Sequence, residues 1–387
     1  MESNMAPRSK SKAKNGRKPT SANQITRRGL ISAAAGGASL LANKAAAQTS
    51  GSSKLRLSLA CWNYDRTRPL MDGRVPVDGV DLTYLTLPVE ETFFRMLRHH
   101  EFDAAELSLS SYVLSLSSPN PPFVAIPVFP SRFFRHSCIY VSAKSGIREP
   151  KDLIGKRVGT PEYQMTAGVW IRGILSDEYQ VPAQSMSYFT GGEEEPGRDE
   201  KIALSLPPEF KVQPIPPDKT LSQMLQNGEL DAFQTARAPS SFTNGSGKVR
   251  RLFENYPAVE RDYYLKTKIF PIMHTVVIRR DVYERDPWAA MSLYKALCRA
   301  KDYALHLISE VGSPKASFAW LQPLIEEEQA IIGKDWYPYG IEANRPSLEA
   351  LLQYTHEHGL TPRGLKIEEL FAPSTLRDIP LSEGQLV

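Results

Sequence analysis

Cysteine is nearly missing: Cys61, Cys138 and Cys298 are the whole complement of 387 residues. An odd, widely spaced trio with no C-x-x-C cannot pair completely and offers no metal-ligand spacing, so the three are expected as small buried apolar residues. Histidine is as unhelpful to a metal, because His99 and His100 are adjacent and His356-x-His358 has the wrong helical spacing to share an ion. No GxGxxG follows a strand, and no Walker loop or GxSxG elbow occurs. No thiamine- or pyridoxal-type motif stands out either, so neither a cofactor nor a metal is expected. An excess of charge is lacking too. The formal +4 comes from residues 1–47, which hold nine Lys/Arg against the single acid Glu2; the rest carries 38 basic and 42 acidic residues. With no basic stripe interleaved with aromatics, nucleic acid is not an expected partner. Long apolar runs are also missing, and the one from Leu30 to Ala42 is too short for a permanent membrane anchor.

What is present begins with that leader. A basic, Ser-rich stretch leads to Thr26-Arg27-Arg28-Gly29-Leu30, then the Ala/Gly-rich run, Lys44 and the small residues Ala45-Ala46-Ala47. Two arginines ahead of a weakly apolar segment resemble a twin-arginine export signal, with a disordered basic tail as the plainer alternative. The expectation is a mature periplasmic protein starting near Gln48, with no stable membrane span once residues 1–47 are removed.

In the mature chain, Leu55 to Cys61 and Val80 to Leu87 read as strands, and Glu90 to His99 as a helix. The stretch from Lys156 to Tyr179 is the focal one. A short strand ends at Thr160, Pro161 breaks it, and Ala167, Trp170, Ile171, Ile174 and Leu175 then repeat at helical spacing. Thr160, Glu162, Tyr163, Gln164 and Thr166 thus crowd a strand-to-helix corner whose free N–H groups suit a carboxylate or phosphate. Further helices are expected over Pro287 to Leu307, Leu321 to Gly333 and Pro346 to His358, as packing for the first lobe.

One pattern occurs twice. His100-Glu101-Phe102-Asp103-Ala104-Ala105 matches Gly228-Glu229-Leu230-Asp231-Ala232-Phe233, each after a short amphipathic helix and before a strand. The repeat implies two α/β lobes of similar build. Phe134-Arg135-His136 and Ile272-Met273-His274 each introduce an apolar strand, and these are expected as the two hinge crossovers. Residues 54–135 plus 275–387 would form lobe 1 and 136–274 lobe 2, with a ligand cleft between them. Gly191 to Pro217 is rich in Pro, Glu and Gly, and its start, Gly191-Gly192 followed by three glutamates, reads as a mobile flap or a solvated charge run.

Several ordered blocks carry a resemblance over nearly the whole mature chain. They are Asn63-Tyr64-Asp65-Arg66-Thr67, Ala105 to Tyr112 (AELSLSSY), Pro127 to Arg132 (PVFPSR), Pro161 to Thr166 (PEYQMT) with Val169-Trp170-Ile171-Arg172, and Phe270 to Thr275 (FPIMHT). Together they resemble the 4,5-dihydroxyphthalate decarboxylase family. The resemblance implies the α/β, two-lobed fold of the type II periplasmic solute-binding proteins, and conversion of 4,5-dihydroxyphthalate to protocatechuate. An export leader fits instead an exported solute-binding protein for an aromatic or other organic anion, feeding a membrane permease. Both readings take a small aromatic carboxylate.

Loss of CO2 from an electron-rich aromatic acid needs a proton for the ring carbon, electron release from a phenol, and a grip on the carboxylate. Histidine suits the first task, which makes His136 and His274 candidates, each with a purely structural alternative. Asp65 and Glu106 could orient phenols or act as base, or else cap strand ends or form salt bridges between the lobes. Arg132, Arg135, Arg172 and Arg237 could clamp a carboxylate, Arg172 being equally readable as a surface or structural ion pair. Tyr64, Ser108, Ser110, Thr160, Tyr163, Gln164 and Thr166 complete the expected ligand contacts.

Overall fold

A computed structural model describes residues 54–379; the leader and its expected cleavage site lie outside the described residues. The first sheet takes β1 (Leu55–Ala60), β2 (Val80–Leu85), β3 (Ala104–Ser108), β4 (Phe123–Arg132) and, from far down the chain, β11 (Ile272–Arg279), in the order β2-β1-β3-β11-β4. The second takes β5 (Ile139–Ser142), β6 (Arg157–Thr160), β7 (Ser187–Thr190), β8 (Lys211–Pro214), β9 (Ala232–Gln234) and β10 (Val249–Arg251), in the order β10-β5-β9-β6-β7-β8. Read from β7 inward, the second sheet repeats the first. Three parallel strands, β2-β1-β3 or β7-β6-β9, are followed by an antiparallel strand, β11 or β5, and then by β4 or β10. β8 is an added edge, parallel to β7. The fold is α/β with two mixed sheets of one design.

The repeated tetrad occupies the same rung of each sheet. Asp103 accepts the Ser58 N–H of β1 at 2.9 Å, and Asp231 the Arg157 N–H of β6 at 2.9 Å. Their carbonyls accept the matching partners, Arg279 N–H at 2.9 Å and Ser142 N–H at 3.0 Å. Both preceding helices stop on a left-handed residue, His100 (φ 50) or Gly228 (φ 82); glycine adopts that conformation without the Cβ penalty that histidine bears. The helix before β3, Val89–His99, carries Glu90 and Glu91 in its first turn and Arg98 and His99 in its last, matching the helix dipole.

The chain passes between the sheets along 133–138 and 252–271, the latter holding the helix Tyr256–Thr267. The histidines do not open crossing strands as expected. His136 begins a short 3-10 turn, His136–Cys138, ahead of β5, while His274 is the third residue of β11, which lies wholly in the first sheet. The corner helix runs Thr166–Tyr179 and the tail helices run Trp288–Ile308, Leu321–Ile331 and Arg345–Glu357. Trp288–Ile308 buries a stripe of small and branched residues (Ala289, Leu293, Ala296, Leu297, Ala300) toward β4.

Arg345–Glu357 goes elsewhere than the first sheet alone. It lies along Thr166–Tyr179, where Tyr354 meets Trp170 edge-on at 5.7 Å and donates its hydroxyl to Asp177 at 2.7 Å. A Cβ on Gly173 would stand 2.1 Å from the Tyr354 ring, so only glycine permits this approach. Trp170 Nε1 donates to the Ile272 carbonyl at 2.9 Å, tying the same helix to the first residue of β11. One apolar core consequently runs through both halves, with a satellite around Tyr140, Leu225 and Phe233 under the second sheet.

Candidate active site

Glu106 is the third residue of β3, a strand buried throughout, and an acid there must find partners or lose its charge. It finds four donors. Oε1 accepts from the Tyr64 hydroxyl at 2.6 Å and faces His274 Nδ1 at 2.6 Å; Oε2 accepts from the Trp62 N–H at 3.0 Å and the Cys61 thiol at 3.5 Å. Burial alone would raise this carboxyl, but His274, the Trp62 N–H and the Tyr64 hydroxyl outweigh it and hold the group below the ordinary carboxylate range. The same burial, with Glu106 alongside, pushes the Tyr64 hydroxyl and Cys61 thiol upward, so both stay protonated donors. Phe93 packs edge-on against the imidazole at 4.9 Å. His274 therefore has Nδ1 committed to a carboxylate and a partly exposed ring.

Beside this pair, the ends of β3 and the corner helix join directly. Thr166 Oγ1 bonds Ser108 Oγ at 2.8 Å and Ser110 Oγ at 2.9 Å, and accepts the Ser110 N–H at 3.1 Å; Ser110 Oγ donates to the Gln164 carbonyl at 2.5 Å. Ser108, Ser110, Gln164 and Thr166 are thus brought together in a hydroxyl seam between the two halves.

The corner itself is not open. Its expected free N–H groups, on Tyr163 and Gln164, both point at the Glu200 carboxylate, which also accepts Gln164 Nε2 at 2.9 Å. Glu162, fully buried, is paired by Lys201 and by Arg198 at 2.5 Å, and Arg198 reaches on to Glu90 of the other half at 2.8 Å. The Pro-, Glu- and Gly-rich stretch from Gly191 to Pro217 supplies these groups. It also walls a cavity of about 510 Å³ with Glu90, Phe94, Arg98, residues 192–199 and Arg237. In that cavity burial pushes the Glu193 carboxyl up to about 7 against a hydrogen bond from Thr235, with Glu194 adding to the rise.

The remaining candidates are dispersed. Arg237 is largely exposed at the cavity wall, 3.9 Å from Glu90. Arg132 is buried and committed to the carbonyls of Phe270 (3.3 Å) and Pro338 (2.7 Å) and to Asn344; burial pulls it down to about 10. Arg135 bonds Met273 Sδ at 3.1 Å and the Ala236 carbonyl at 3.4 Å, at the first crossing. Asp65 turns outward to an ion pair with Arg66 at 2.9 Å. Thr160 donates to the Glu162 carbonyl at 3.3 Å, and the Tyr163 hydroxyl to that of His358 at 3.2 Å. Arg172 is not a surface residue, and among the described residues it has no ion-pair partner; fully buried, it donates to the Tyr163 carbonyl at 2.7 Å and lies 4.0 Å over the Tyr163 ring. His136 sits in an aromatic cage of Tyr179, Phe253 and Tyr263, with no hydrogen bond on either nitrogen, and burial pushes it down to about 4.

Cys61, Arg198, Glu200, Glu193 and Gln234 were not foreseen. Cys61 had no signal beyond following β1. The others lie in or beside the Gly191–Pro217 stretch and the second copy of the repeat, where charge density was the available clue. Among the described residues no group of three or more His, Cys, Asp or Glu is arranged to hold a metal, and no helix is long and apolar enough to cross a membrane.

A buried carboxylate–imidazole pair on one of two like sheets, joined through the Ser108–Thr166 seam to the other half, marks a two-lobed α/β protein with a candidate site on its first sheet. No family model matches the chain. It is 41% identical over 329 residues to the 4,5-dihydroxyphthalate decarboxylase of Comamonas testosteroni, covering 85% of this chain and the whole of the relative. It is 48% identical over 211 residues to the enzyme of that name from Pseudomonas putida, covering 54% of this chain and 82% of the relative. The chain belongs to the 4,5-dihydroxyphthalate decarboxylase family. Among solved structures, the periplasmic aliphatic sulphonate binding protein SsuA of Escherichia coli matches with TM-score 0.46 and 13% identity, over 84% of this chain and 99% of its own. At that score the likeness adds nothing to the sheets described above.

Proposed function

We propose that this protein decarboxylates a dihydroxylated aromatic dicarboxylate of the 4,5-dihydroxyphthalate kind where its two sheets meet. The observation that carries the reading is the Glu106–His274 pair, a buried carboxylate 2.6 Å from a partly exposed imidazole. In such a substrate each carboxylated ring carbon has a hydroxyl para to it, so electron release from that hydroxyl builds density where a proton must arrive. His274, as imidazolium, delivers its proton to that carbon. The carbon–carboxylate bond then breaks, its electron pair restores the aromatic ring, and CO2 leaves. One proton is consumed and His274 regains it from solvent. Glu106 is a positioning residue here: it holds Nδ1 at 2.6 Å, and its saturated hydrogen bonds fix the ring.

The test is incubation of the purified protein with 4,5-dihydroxyphthalate, following CO2 and protocatechuate. Stoichiometric appearance of both is expected. Tight binding without CO2 would overturn the reading in favour of an exported receptor for an aromatic anion, which the Arg27-Arg28 leader supports. Export by a twin-arginine route to the periplasm is part of the proposal, and retention of an Arg27→Lys/Arg28→Lys variant in the cytoplasm is the check on it.

A further inference from the structure

Two wholly buried polar side chains, one on the corner helix and one at the end of β9, keep atoms without a partner. Gln234 ends β9 fully buried, and neither atom of its amide has a partner in the protein. Arg172 is equally buried; Nε and Nη1 have no partner, and among the described residues no carboxylate pairs with it. The two belong to one face. β6 and β9 run parallel, with Val158 opposite Ala232 and Gly159 opposite Phe233, so Thr160 and Gln234 form the next rung and share the face of Val158 and Ala232. The Thr160 hydroxyl oxygen and Arg172 Nη1 lie 3.3 and 3.1 Å from one point, where a Cβ on Gly168 would stand.

The repeat sharpens the meaning of Gln234. Asp103 and Asp231 bond equivalent strand residues, and Glu106 and Gln234 each stand three residues further on. Gln234 is thus the second sheet's counterpart of Glu106. Glu106 has its full set of donors, whereas Gln234 has none, and an unmet amide in a protein interior is costly enough to require a reason. A guanidinium with two uncommitted nitrogens and a primary amide, each reaching the Thr160 position from its own element, together supply the chemistry of carboxylate recognition.

The geometry points to Arg172 and Gln234 as the group that holds the carboxylate the substrate retains, while the carboxylate to be lost lies by His274. This rests on the dicarboxylate reading given above. It also separates the recognition of the ligand from the proton donor, which sits on the other sheet.

The experiment is calorimetric titration of the full chain with phthalate, which lacks the activating hydroxyls, and with benzoate, which has a single carboxylate. Wild type, Gln234→Met and Arg172→Lys are compared, with thermal melts of each ligand-free protein. Gln234→Met is expected to raise Tm by about 2 °C, because it removes an amide that bonds nothing. It should also weaken phthalate at least tenfold and abolish the preference for phthalate over benzoate; Arg172→Lys should weaken phthalate likewise. Unchanged phthalate affinity in Gln234→Met overturns the assignment, and a fall in Tm alongside it shows the amide to be structural. Failure of this site and failure of the decarboxylase reading are distinguishable. Turnover of 4,5-dihydroxyphthalate with unaltered phthalate binding in Gln234→Met sinks the carboxylate site alone. Phthalate binding that depends on Gln234, in a wild type that releases no CO2, upholds the site and sinks the reaction.

Discussion

Glu106 and His274 meet diagonally. On antiparallel β3 and β11, His274 stands opposite Ser108 and Glu106 opposite Val276, yet their side chains close to 2.6 Å. The diagonal contact fixes which imidazole nitrogen faces inward, and leaves the other to a ligand.

From that geometry His274→Ala should lower kcat for 4,5-dihydroxyphthalate by about 10²–10⁴-fold, the range for loss of a positioned proton donor. Glu106→Gln should be milder in kcat, since the imidazole keeps a hydrogen-bonding neighbour but loses the carboxylate that orients it. Steady-state CO2 release checks both. An unaltered kcat in Glu106→Gln would end the positioning role.

The site was partly legible in the sequence because strands and repeats carry local signals. Glu106 and His274 each lie within a recognisable block, and the doubled Glu-x-Asp-Ala units do occupy one rung in each of two sheets. The corner at Gln164 was legible as a helix start. Its occupant was not, because Glu200 arrives from 36 residues downstream in a stretch with no periodic pattern. His136 and His274 looked alike in sequence. Only packing separates them: one ring is enclosed by three aromatics and the other lies on a carboxylate.

His136 should set an acid limit to stability. Its folded pKa is pushed down by burial to about 4, below the ordinary value near 6.5, so between those values the unfolded chain binds the extra proton. The contribution is fully present above about pH 6.5 and is lost as pH falls toward 4, a change on the order of 3 kcal/mol. Urea denaturation of wild type and His136→Phe from pH 7 to 4 measures it. The variant should show a flatter decline, and an identical slope would show that the ring is not the titrating group.

The segment that closes the corner should come loose when its anchor is cut. Arg198 joins Glu162 and Glu90 across the two halves at 2.5 and 2.8 Å. Arg198→Ala leaves Glu162 with Lys201 alone, in a setting where burial already pulls the lysine pKa down. Faster proteolysis within 191–206 is expected, with KM raised more than kcat is lowered. Limited digestion followed by mass spectrometry reads the first effect, and wild-type cleavage rates would count against the anchor.

Hinge motion has less freedom than a two-lobed outline suggests, because the tail helix Arg345–Glu357 is packed on the second half through Tyr354 and Asp177. Gly173 is the point where that contact is closest, and a methyl group there would overlap the Tyr354 ring. Gly173→Ala should therefore cost about 1–3 kcal/mol by overpacking, more than the small gain that alanine normally brings to a helix interior. Tyr354→Phe removes only the Asp177 hydrogen bond and should cost about 1 kcal/mol. Combining Gly173→Ala with Tyr354→Leu should restore part of the loss, since a smaller side chain yields the space. Denaturant midpoints of the three variants decide the point: strict additivity of the two substitutions would mean that the helices do not touch there in solution.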